Sequence, residues 1–444
     1  MNSDIVLINP YFQNPYFSMY FGGPPLGLLY LASCLEERGY KVKIIDAYSL
    51  IKTSESVIEE LEKINPEIIC ITSASLQSES TLSLARQIKE TLNTKIIVGG
   101  VHATLRPEFC HYDFFDYGIL GEGELSLPIL IDKIHQNKKQ KKIIIGRSVK
   151  NLDSIPFPAW HLIKMRDYHL DNKRKVYIIG SRGCPFRCIY CSVRGPMRFR
   201  SPNKIVEELK ILIEKYKVEL IRFSDNVFTL NKKWVNSICE LIKKEKLDFE
   251  WACMTRCDLL NRSILRKMSQ VGCSEIGLGI ENRSSLRFYL KKDLEERSVR
   301  ASISACKKEG IKTAGSFILG LPRETLVSIK KTIKYSIKLG LDNISYLPLI
   351  LYPGTEIFNA ALRSGIVDKN VWQKYEMGVG GIPVSIPNGL NLNLLLKIIK
   401  NAHREFYFRS DFFTRKINQM KYFKNISDVE VFVKSLKNLL DLIS

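Results

Sequence analysis

The sequence has 444 residues, 45% of them hydrophobic, and a formal net charge of +21. This length predicts two or three domains with enough apolar residues for a core, and the composition is ordinary for a soluble globular protein. No apolar run is long enough for a membrane span and no secretion signal precedes the first predicted strand, so we expect a cytoplasmic protein.

The positive charge follows helical segments and forms only one short block, at residues 138–142. Dispersed lysines indicate solvated helix faces, so no nucleic-acid partner is expected. The eleven cysteines form no paired framework, which indicates a reducing compartment. Eight of them lie mostly in apolar segments and are predicted to be buried thiols: Cys34, Cys70, Cys110, Cys239, Cys253, Cys257, Cys273 and Cys306.

Residues 1–145 alternate short apolar runs with segments of helical spacing. The predicted strands are 5–8, 41–46, 67–72, 95–100 and 117–121, and the predicted helices are 25–35, 57–63 and 79–91. This alternation predicts a doubly wound, Rossmann-like parallel sheet, in which ligands bind beyond the carboxyl ends of the strands.

Glycine and small hydroxyl residues occupy those predicted strand ends, where they would let a large flat ligand approach the backbone. No G-x-G-x-x-G motif opens the first helix, so a dinucleotide is not expected. The candidate binding residues of this rim are Ser73, Ser75, Gly99, Gly100, His102, Gly121, Glu122 and Gly123. For His102, contact with a cofactor edge or the backbone is favoured over metal ligation, because no partner ligands surround it in the sequence.

Residues 146–175 are predicted to form a linker, which two prolines around Phe157 make stiff. Three cysteines follow it within eight residues: Cys184, Cys188 and Cys191, in a C-x3-C-x2-C spacing. Glycine and proline beside Cys184 predict a loop at the end of the strand 176–179.

Three thiolates in one loop could hold more than one kind of metal centre. A structural zinc site usually has four protein ligands, and a four-iron cluster normally has four thiolates. A cluster held by three cysteines would keep one iron free for an outside molecule, which suits a reactive site. Zinc and scattered core thiols are the alternatives.

Residues 176–375 repeat a strand–helix unit about six times, which predicts a partial (β/α)6 barrel with its site at the carboxyl ends of the strands. Polar residues and glycine fall at those ends: Ser224, Asp225, Asn226, Arg256, Glu281 and Gly320. For Arg256 and Glu281 the alternative is a structural ion pair.

The cysteine spacing, with Tyr190 before Cys191, resembles the radical S-adenosylmethionine (SAM) family. Segments 279–281 and 320–322 also match that family, although Arg323 stands where glycine is usual. The resemblance implies a [4Fe-4S] cluster on the three cysteines, with SAM on the open iron. It also implies contacts to SAM or substrate from Tyr190, Ser224, Asp225, Arg256, Glu281, Gly320 and Leu321, although the glycine-glycine-glutamate of many members is replaced at 224–225.

The rim of residues 1–145, with the segment 24–32, resembles the cobalamin-binding domain found upstream of some radical SAM enzymes. The Asp-x-His-x-x-Gly motif of other cobalamin proteins is absent, so the resemblance implies base-off cobalamin without a protein histidine on cobalt. A domain of this shape that binds nothing is the alternative, since a fold does not establish a ligand.

Taken together, the resemblance implies methyl transfer to an unactivated carbon through a 5′-deoxyadenosyl radical and methylcobalamin. A radical cyclisation, rearrangement or oxidation is the second interpretation, and a non-catalytic zinc-binding module is the third. The expected partners are a small-molecule or lipid-like substrate and an electron donor such as flavodoxin or ferredoxin.

Residues 376–444 are predicted to be helical at 394–408 and 429–442. Basic and aromatic residues around the end of the first helix are expected to dock on the protein, with peripheral membrane association as the alternative. Residues 378–383 are predicted to be a mobile loop and a candidate substrate lid.

Overall fold

The computed structural model describes residues 4–12, 22–170 and 173–409. The chain forms two compact units. The first contains the described residues up to 168 together with 198–200 and 351–383, and the second contains those in 169–197, in 201–350 and from 384 onwards. The boundaries expected from the sequence, at 145, 175 and 375, stay a prediction.

A six-stranded parallel sheet forms the centre of the first unit, in the order β2-β1-β3-β4-β5-β6. Its strands are β1 (Ile5–Asn9), β2 (Val42–Asp46), β3 (Ile68–Thr72), β4 (Lys95–Gly99), β5 (Tyr117–Leu120) and β6 (Ile143–Ile145). Both faces are covered by apolar clusters, which explains why the strands are continuous apolar runs. The doubly wound sheet predicted from the sequence is confirmed, and its order reverses between β1 and β3, where such folds bind ligands.

The helices of this unit before residue 145 are α1 (Leu26–Glu36), α2 (Ser54–Ile64), α3 (Ser78–Thr91), α4 (Val101–Leu105) and α5 (Ser126–His135). Helix α2 has polar residues at both ends. Thr53 accepts a hydrogen bond from the Ser56 backbone N–H, and Asn65 ends the helix in a left-handed conformation. Both residues are of types that favour these positions, and with these caps the helix predicted at 57–63 begins three residues earlier and ends one residue later.

A seven-stranded sheet forms the second unit, in the order β15-β14-β13-β12-β11-β8-β7. Its strands are β7 (His169–Leu170), β8 (Lys173–Ile178), β11 (Leu220–Phe223), β12 (Glu250–Thr255), β13 (Cys273–Glu281), β14 (Lys312–Leu319) and β15 (Asn343–Pro348). The strands from β8 to β15 are parallel, and β7 pairs antiparallel with β8. Six parallel strands in sequence order confirm the partial (β/α)6 barrel, so their carboxyl ends share one rim.

A two-stranded ribbon interrupts this repeat after β8, formed by β9 (Ser181–Cys184) and β10 (Gly195–Phe199). The helices that alternate with the parallel strands are α6 (Pro202–Lys210), α7 (Lys232–Lys244), α8 (Arg262–Ser269), α9 (Ser284–Tyr289), α10 (Glu296–Lys308) and α11 (Leu326–Lys338). An asparagine side chain caps the first turn of both α7 and α8, which fixes where each helix begins after its strand.

The segment 351–383 follows β15 and belongs to the first unit, where it contains α12 (Glu356–Arg363) and α13 (Val371–Glu376). A buried hydrogen bond holds it there, from the Tyr375 hydroxyl to the Leu76 carbonyl at 2.6 Å. Within the segment, the Trp372 indole N–H donates to the Leu351 carbonyl at 2.9 Å.

Helix α14 (Leu392–Tyr407) packs against β15 in the second unit. Phe406 is fully buried, and the Tyr407 hydroxyl bonds both the N–H and the carbonyl of Ile344. The predicted docking of the tail aromatics is thus confirmed for these two residues. The predicted helix 429–442 and the aromatics Phe412 and Phe413 lie outside the described residues. Within the described ranges, no helix combines the length and apolarity needed to cross a bilayer.

His403 connects α14 to β15 in its neutral form. Its Nε2 accepts from the Tyr346 backbone N–H at 3.2 Å, and its Nδ1 lies 3.0 Å from the Ile399 carbonyl, so Nδ1 carries the proton. Burial lowers the pKa of His403 to about 4. Protonation of Nε2 would remove the acceptor that β15 uses.

This arrangement predicts acid sensitivity. An unfolded histidine takes up its proton near pH 6.5, whereas folded His403 does so only near pH 4. The contribution of His403 to stability is therefore complete above pH 6.5 and is lost as the pH falls toward 4, with about 2 kcal/mol lost by pH 5. Thermal unfolding at pH 7 and pH 5 should show a larger fall in Tm for the natural chain than for His403→Gln. Equal falls would contradict this role.

Candidate functional site

The cysteine loop begins at the end of β9. Cys184 is the last residue of that strand, and Cys188 and Cys191 follow in irregular backbone. These three thiols are partly exposed, whereas the other eight cysteines are all buried, as predicted. Gly183 has φ +99°, and a Cβ there would lie 2.3 Å from the Pro196 carbonyl oxygen. Only glycine lets the ribbon close at this point.

Cys191 lies close to the two other cysteines of the loop. Burial raises the pKa of the Cys191 thiol, and the neighbouring Cys188 and Cys184 raise it further. The Val193 backbone N–H acts in the opposite direction, since it lies 3.4 Å from Cys191 Sγ. Three mutually repelling thiolates need a positively charged centre among them, so this donor set could hold an iron–sulfur cluster. In the described part of the chain, no three Cys, His, Asp or Glu side chains are placed to hold a single metal ion.

Arg256, at the end of β12, supports the loop from one side. Its guanidinium carbon lies 4.0 Å from the centre of the Phe186 ring. It also forms two hydrogen bonds to Asp258, at 2.9 and 3.0 Å, and donates to the Lys292 carbonyl at 2.9 Å. Its charge interacts with Cys188. Arg256 therefore acts on the loop by stacking and by charge.

Glu281, at the end of β13, contacts the loop from another side. Its carboxylate accepts a hydrogen bond from Tyr190, and it pairs with Lys292 at 2.7 Å. Burial, and then Glu281, raises the pKa of the Tyr190 hydroxyl far above its usual value, so Tyr190 stays a donor. Arg256 pairs with Asp258 and Glu281 pairs with Lys292, so each takes part in a structural ion pair, although not with the other.

Ser224 and Asp225 follow β11 and differ in exposure. Asp225 is 2% exposed and accepts hydrogen bonds from the Gly180 N–H, at 3.0 Å, and from the Ser181 hydroxyl. It therefore fixes the turn between β8 and β9. Ser224 is exposed at the rim, where its side chain could meet a ligand.

Gly320 and Leu321 follow β14, and their backbone N–H groups both donate to Glu324, at 2.8 and 2.9 Å. A Cβ on Gly320 would lie 2.9 Å from Leu395 and 3.0 Å from the Ser385 carbonyl, so protein packing alone already requires glycine here. Arg323 takes a left-handed backbone with φ +70°. The turn therefore forms without the usual glycine, at a cost of about 1 kcal/mol.

In the first unit, a cavity of about 200 Å³ opens at the carboxyl edge of the sheet. Five of the eight residues predicted at this rim line it: Gly99, Gly100, Gly121, Glu122 and Gly123. The cavity is also lined by Gly27 and Leu31, from the segment 24–32 that carries the cobalamin resemblance, and by Glu124. Thr72 and Leu127 line it as well and were not predicted from the sequence as binding residues. The glycine walls allow a ligand to approach the backbone closely, which is compatible with part of a cobalamin molecule.

Ser73 and Ser75 do not line the cavity, whereas Glu122 does and has an ion-pair partner. Ser73 is fully buried and accepts a hydrogen bond from Thr81. Ser75 Oγ is buried, and among the described residues it finds no hydrogen-bond partner, as expected of a group that awaits a polar ligand. The Glu122 carboxylate lies on the cavity wall and forms a two-point ion pair with Arg198, with both N–O distances 2.8 Å.

His102 does not line the cavity. It is fully buried in α4, and its Nε2 lies 2.9 Å from Glu376. Its ring packs on Phe109 and Trp372. Burial lowers its pKa, and Glu376 opposes that shift. These contacts tie segment 351–383 to α4 within the first unit.

Comparison with known proteins identifies both parts of the chain. A model of the B12 binding domain matches residues 17–131, and a model of the radical SAM superfamily matches residues 178–336. An uncharacterized methyltransferase of Pyrococcus horikoshii is 33% identical over 87% of this chain and 88% of its own length. An anaerobic magnesium-protoporphyrin IX monomethyl ester cyclase of Rubrivivax gelatinosus is 25% identical over 97% of this chain and 82% of its own.

Two solved structures share the fold. The radical SAM methyltransferase TsrM of Kitasatospora setae, with cobalamin and a [4Fe-4S] cluster bound, superposes with a TM-score of 0.67 at 16% identity, over 82% of this chain and 75% of that one. The cobalamin-dependent radical enzyme OxsB, with aqua-cobalamin and SAM bound, gives 0.69 at 16% identity, over 99% of this chain and 72% of that one.

The fold and both sites thus define a radical SAM enzyme. This chain belongs to the radical SAM family whose members carry a cobalamin-binding domain, and its cofactors are a [4Fe-4S] cluster, SAM and cobalamin. The alternative of a non-catalytic zinc module is therefore set aside.

Proposed function

We propose that this protein transfers a methyl group to an unactivated carbon of a small molecule. The observation that carries this proposal is the glycine-lined cavity at the carboxyl edge of the first sheet. Cleavage of SAM requires only the barrel and its cluster, so a second binding cavity indicates a second cofactor. The likeness to an uncharacterized methyltransferase, over 87% of this chain, supports it.

In this proposal the three loop cysteines are the cluster ligands. The Val193 backbone N–H donates to the Cys191 sulfur. The chain supplies no fourth ligand from within the loop, so SAM takes the remaining iron. Arg256 and Glu281 hold the two aromatic residues of the loop in place. Ser224 is the exposed rim residue offered to SAM, while Asp225 fixes the turn beneath it.

Within the first unit, we assign cobalamin to the cavity walled by Gly99, Gly100, Gly121 and Gly123. Ser75 is a candidate polar contact at the same edge. His102 is held by Glu376, which supports the expectation that no histidine of the chain reaches cobalt and that the lower base is detached. When bound, SAM and the cluster supply the radical that activates the substrate, and cobalamin supplies the methyl group.

An electron donor of flavodoxin or ferredoxin type is part of this proposal, because SAM cleavage consumes an electron that the chain cannot generate. Eleven free thiols also favour a reducing compartment such as the cytoplasm. The second candidate function is a radical cyclisation or oxidation without methyl donation. The likeness to the cyclase, over 97% of this chain, favours it as the alternative.

The test follows an isotopic label in the SAM methyl group. The full chain, loaded anaerobically with cluster and reduced cobalamin, should convert labelled SAM to S-adenosylhomocysteine and labelled methylcobalamin before any substrate is added. Chromatography with mass spectrometry measures both products. If the label remains entirely in SAM and methionine while 5′-deoxyadenosine forms, methyl transfer is wrong and the cyclase-type alternative stands.

A further inference from the structure

A short segment after α9, Leu290–Lys292, contacts the cysteine loop by three separate routes. Leu290 is fully buried and Lys292 is 6% exposed, whereas Lys291 between them is exposed. Lys291 and Asp293, on either side of Lys292, both have left-handed backbone, with φ +52° and +32°. Such a conformation is uncommon for residues other than glycine and marks a site whose geometry is set by its surroundings.

The first route is through the backbone. The Ile189 N–H donates to the Leu290 carbonyl at 3.2 Å, and Ile189 lies directly after Cys188. This bond fixes the backbone of the loop between its second and third cysteines.

The second route is through Arg256. The Lys292 carbonyl accepts from Arg256 at 2.9 Å, and the same guanidinium stacks on Phe186. Phe186 lies between the first and second cysteines, so the backbone of Lys292 also influences that half of the loop.

The third route is through the Lys292 side chain. Its ammonium pairs with Glu281 at 2.7 Å, with 7% and 10% of the two side chains exposed, and Glu281 in turn accepts from Tyr190. Tyr190 precedes Cys191. Glu281 has φ +64°, and a Cβ on Gly279 would lie 2.6 Å from Lys292 Nζ and 2.8 Å from Glu281 Oε1. Glycine at 279 is therefore what gives this ion pair its space.

We propose that Lys292 is a positioning residue for the iron–sulfur cluster, acting through Glu281 and Tyr190. This inference rests on the proposed cluster ligation by the three cysteines. A buried carboxylate is costly unless it is paired, so loss of the ammonium leaves Glu281 uncompensated beside the loop. The Glu281–Tyr190 bond then loses its fixed direction, and a negative charge near the cluster is no longer balanced.

The test uses the full chain with its cluster reconstituted anaerobically. Lys292→Met should lose iron to a chelator about tenfold faster than the natural chain, as outer ligand supports usually do when removed. Its reduced cluster should also show an altered electron paramagnetic resonance spectrum and a more negative midpoint potential. Lys291→Met makes the same change in charge one residue away and should behave as the natural chain, and Lys292→Arg should restore slow iron loss.

Folding is controlled separately. In the double variant Lys292→Met, Glu281→Gln, no buried charge is left unpaired, so it should fold even if the single variant does not, and it should still lose iron faster. If either folded variant keeps the natural rate, spectrum and potential, the positioning role is wrong. If the natural chain itself binds no cluster, the proposed function fails instead, so the two failures are distinguishable.

Discussion

Replacing Cys184, Cys188 or Cys191 by alanine should reduce bound iron and sulfide to background and abolish SAM cleavage. Three thiolates hold three irons of a four-iron cluster and leave one iron open, so no cysteine of the loop is spare. The five other cysteines of the second unit are all buried, and those for which a shift is resolved have raised pKa values because of burial, so none can replace a lost ligand.

Iron and sulfide analysis of anaerobically purified protein, with the absorbance of the cluster, measures this result. Cys306→Ala is the matched control, since Cys306 is a buried thiol of α10 and should leave the iron content unchanged. Undiminished iron in any one of the three loop variants would refute the ligand assignment. A colourless natural chain that contains zinc would reinstate the binding-module alternative.

Filling the glycine-walled cavity should weaken cobalamin binding without harming the fold. Gly27 lines the cavity from the first turn of α1, and a Cβ there has no atom within 4 Å. A phenyl ring at this position would occupy the space of the ligand, and glycine is an unfavourable helix residue in any case. We expect Gly27→Phe to weaken cobalamin binding by at least tenfold, which is about 1.4 kcal/mol.

Gly27→Ala is the control and should bind cobalamin nearly as well as the natural chain, because a single methyl group leaves most of the cavity open. Spectrophotometric titration with hydroxocobalamin measures both variants, and thermal unfolding verifies their fold. Full binding by a folded Gly27→Phe would place cobalamin elsewhere or nowhere in this unit.

The strands of both sheets were predictable because parallel strands buried on both faces are unbroken apolar runs. The strand end predicted at Glu281 is the end of β13 (Cys273–Glu281). Helix α5 had not been predicted, and it contains Pro128 in its first turn, where a missing N–H costs little.

The candidate site was predictable only where it follows strand ends. Glycines at 99, 100 and 121 follow that rule, and they line the cavity. Lys292 does not, because it enters the site from a turn after a short helix and its role depends on side-chain direction. Likewise, nothing in the sequence near His102 predicts its contact with Glu376, which lies 274 residues later. Contacts of this kind arise from tertiary packing and leave no local pattern.

The contrast in accessibility among the cysteines has a chemical consequence. A chain stripped of its cluster but still folded presents three partly exposed thiols, while the other eight are enclosed. A short pulse of iodoacetamide should therefore alkylate the loop and spare the core. Peptide mass mapping would then measure the alkylated fraction of each loop cysteine, and so the cluster occupancy, even in preparations too dilute for spectroscopy.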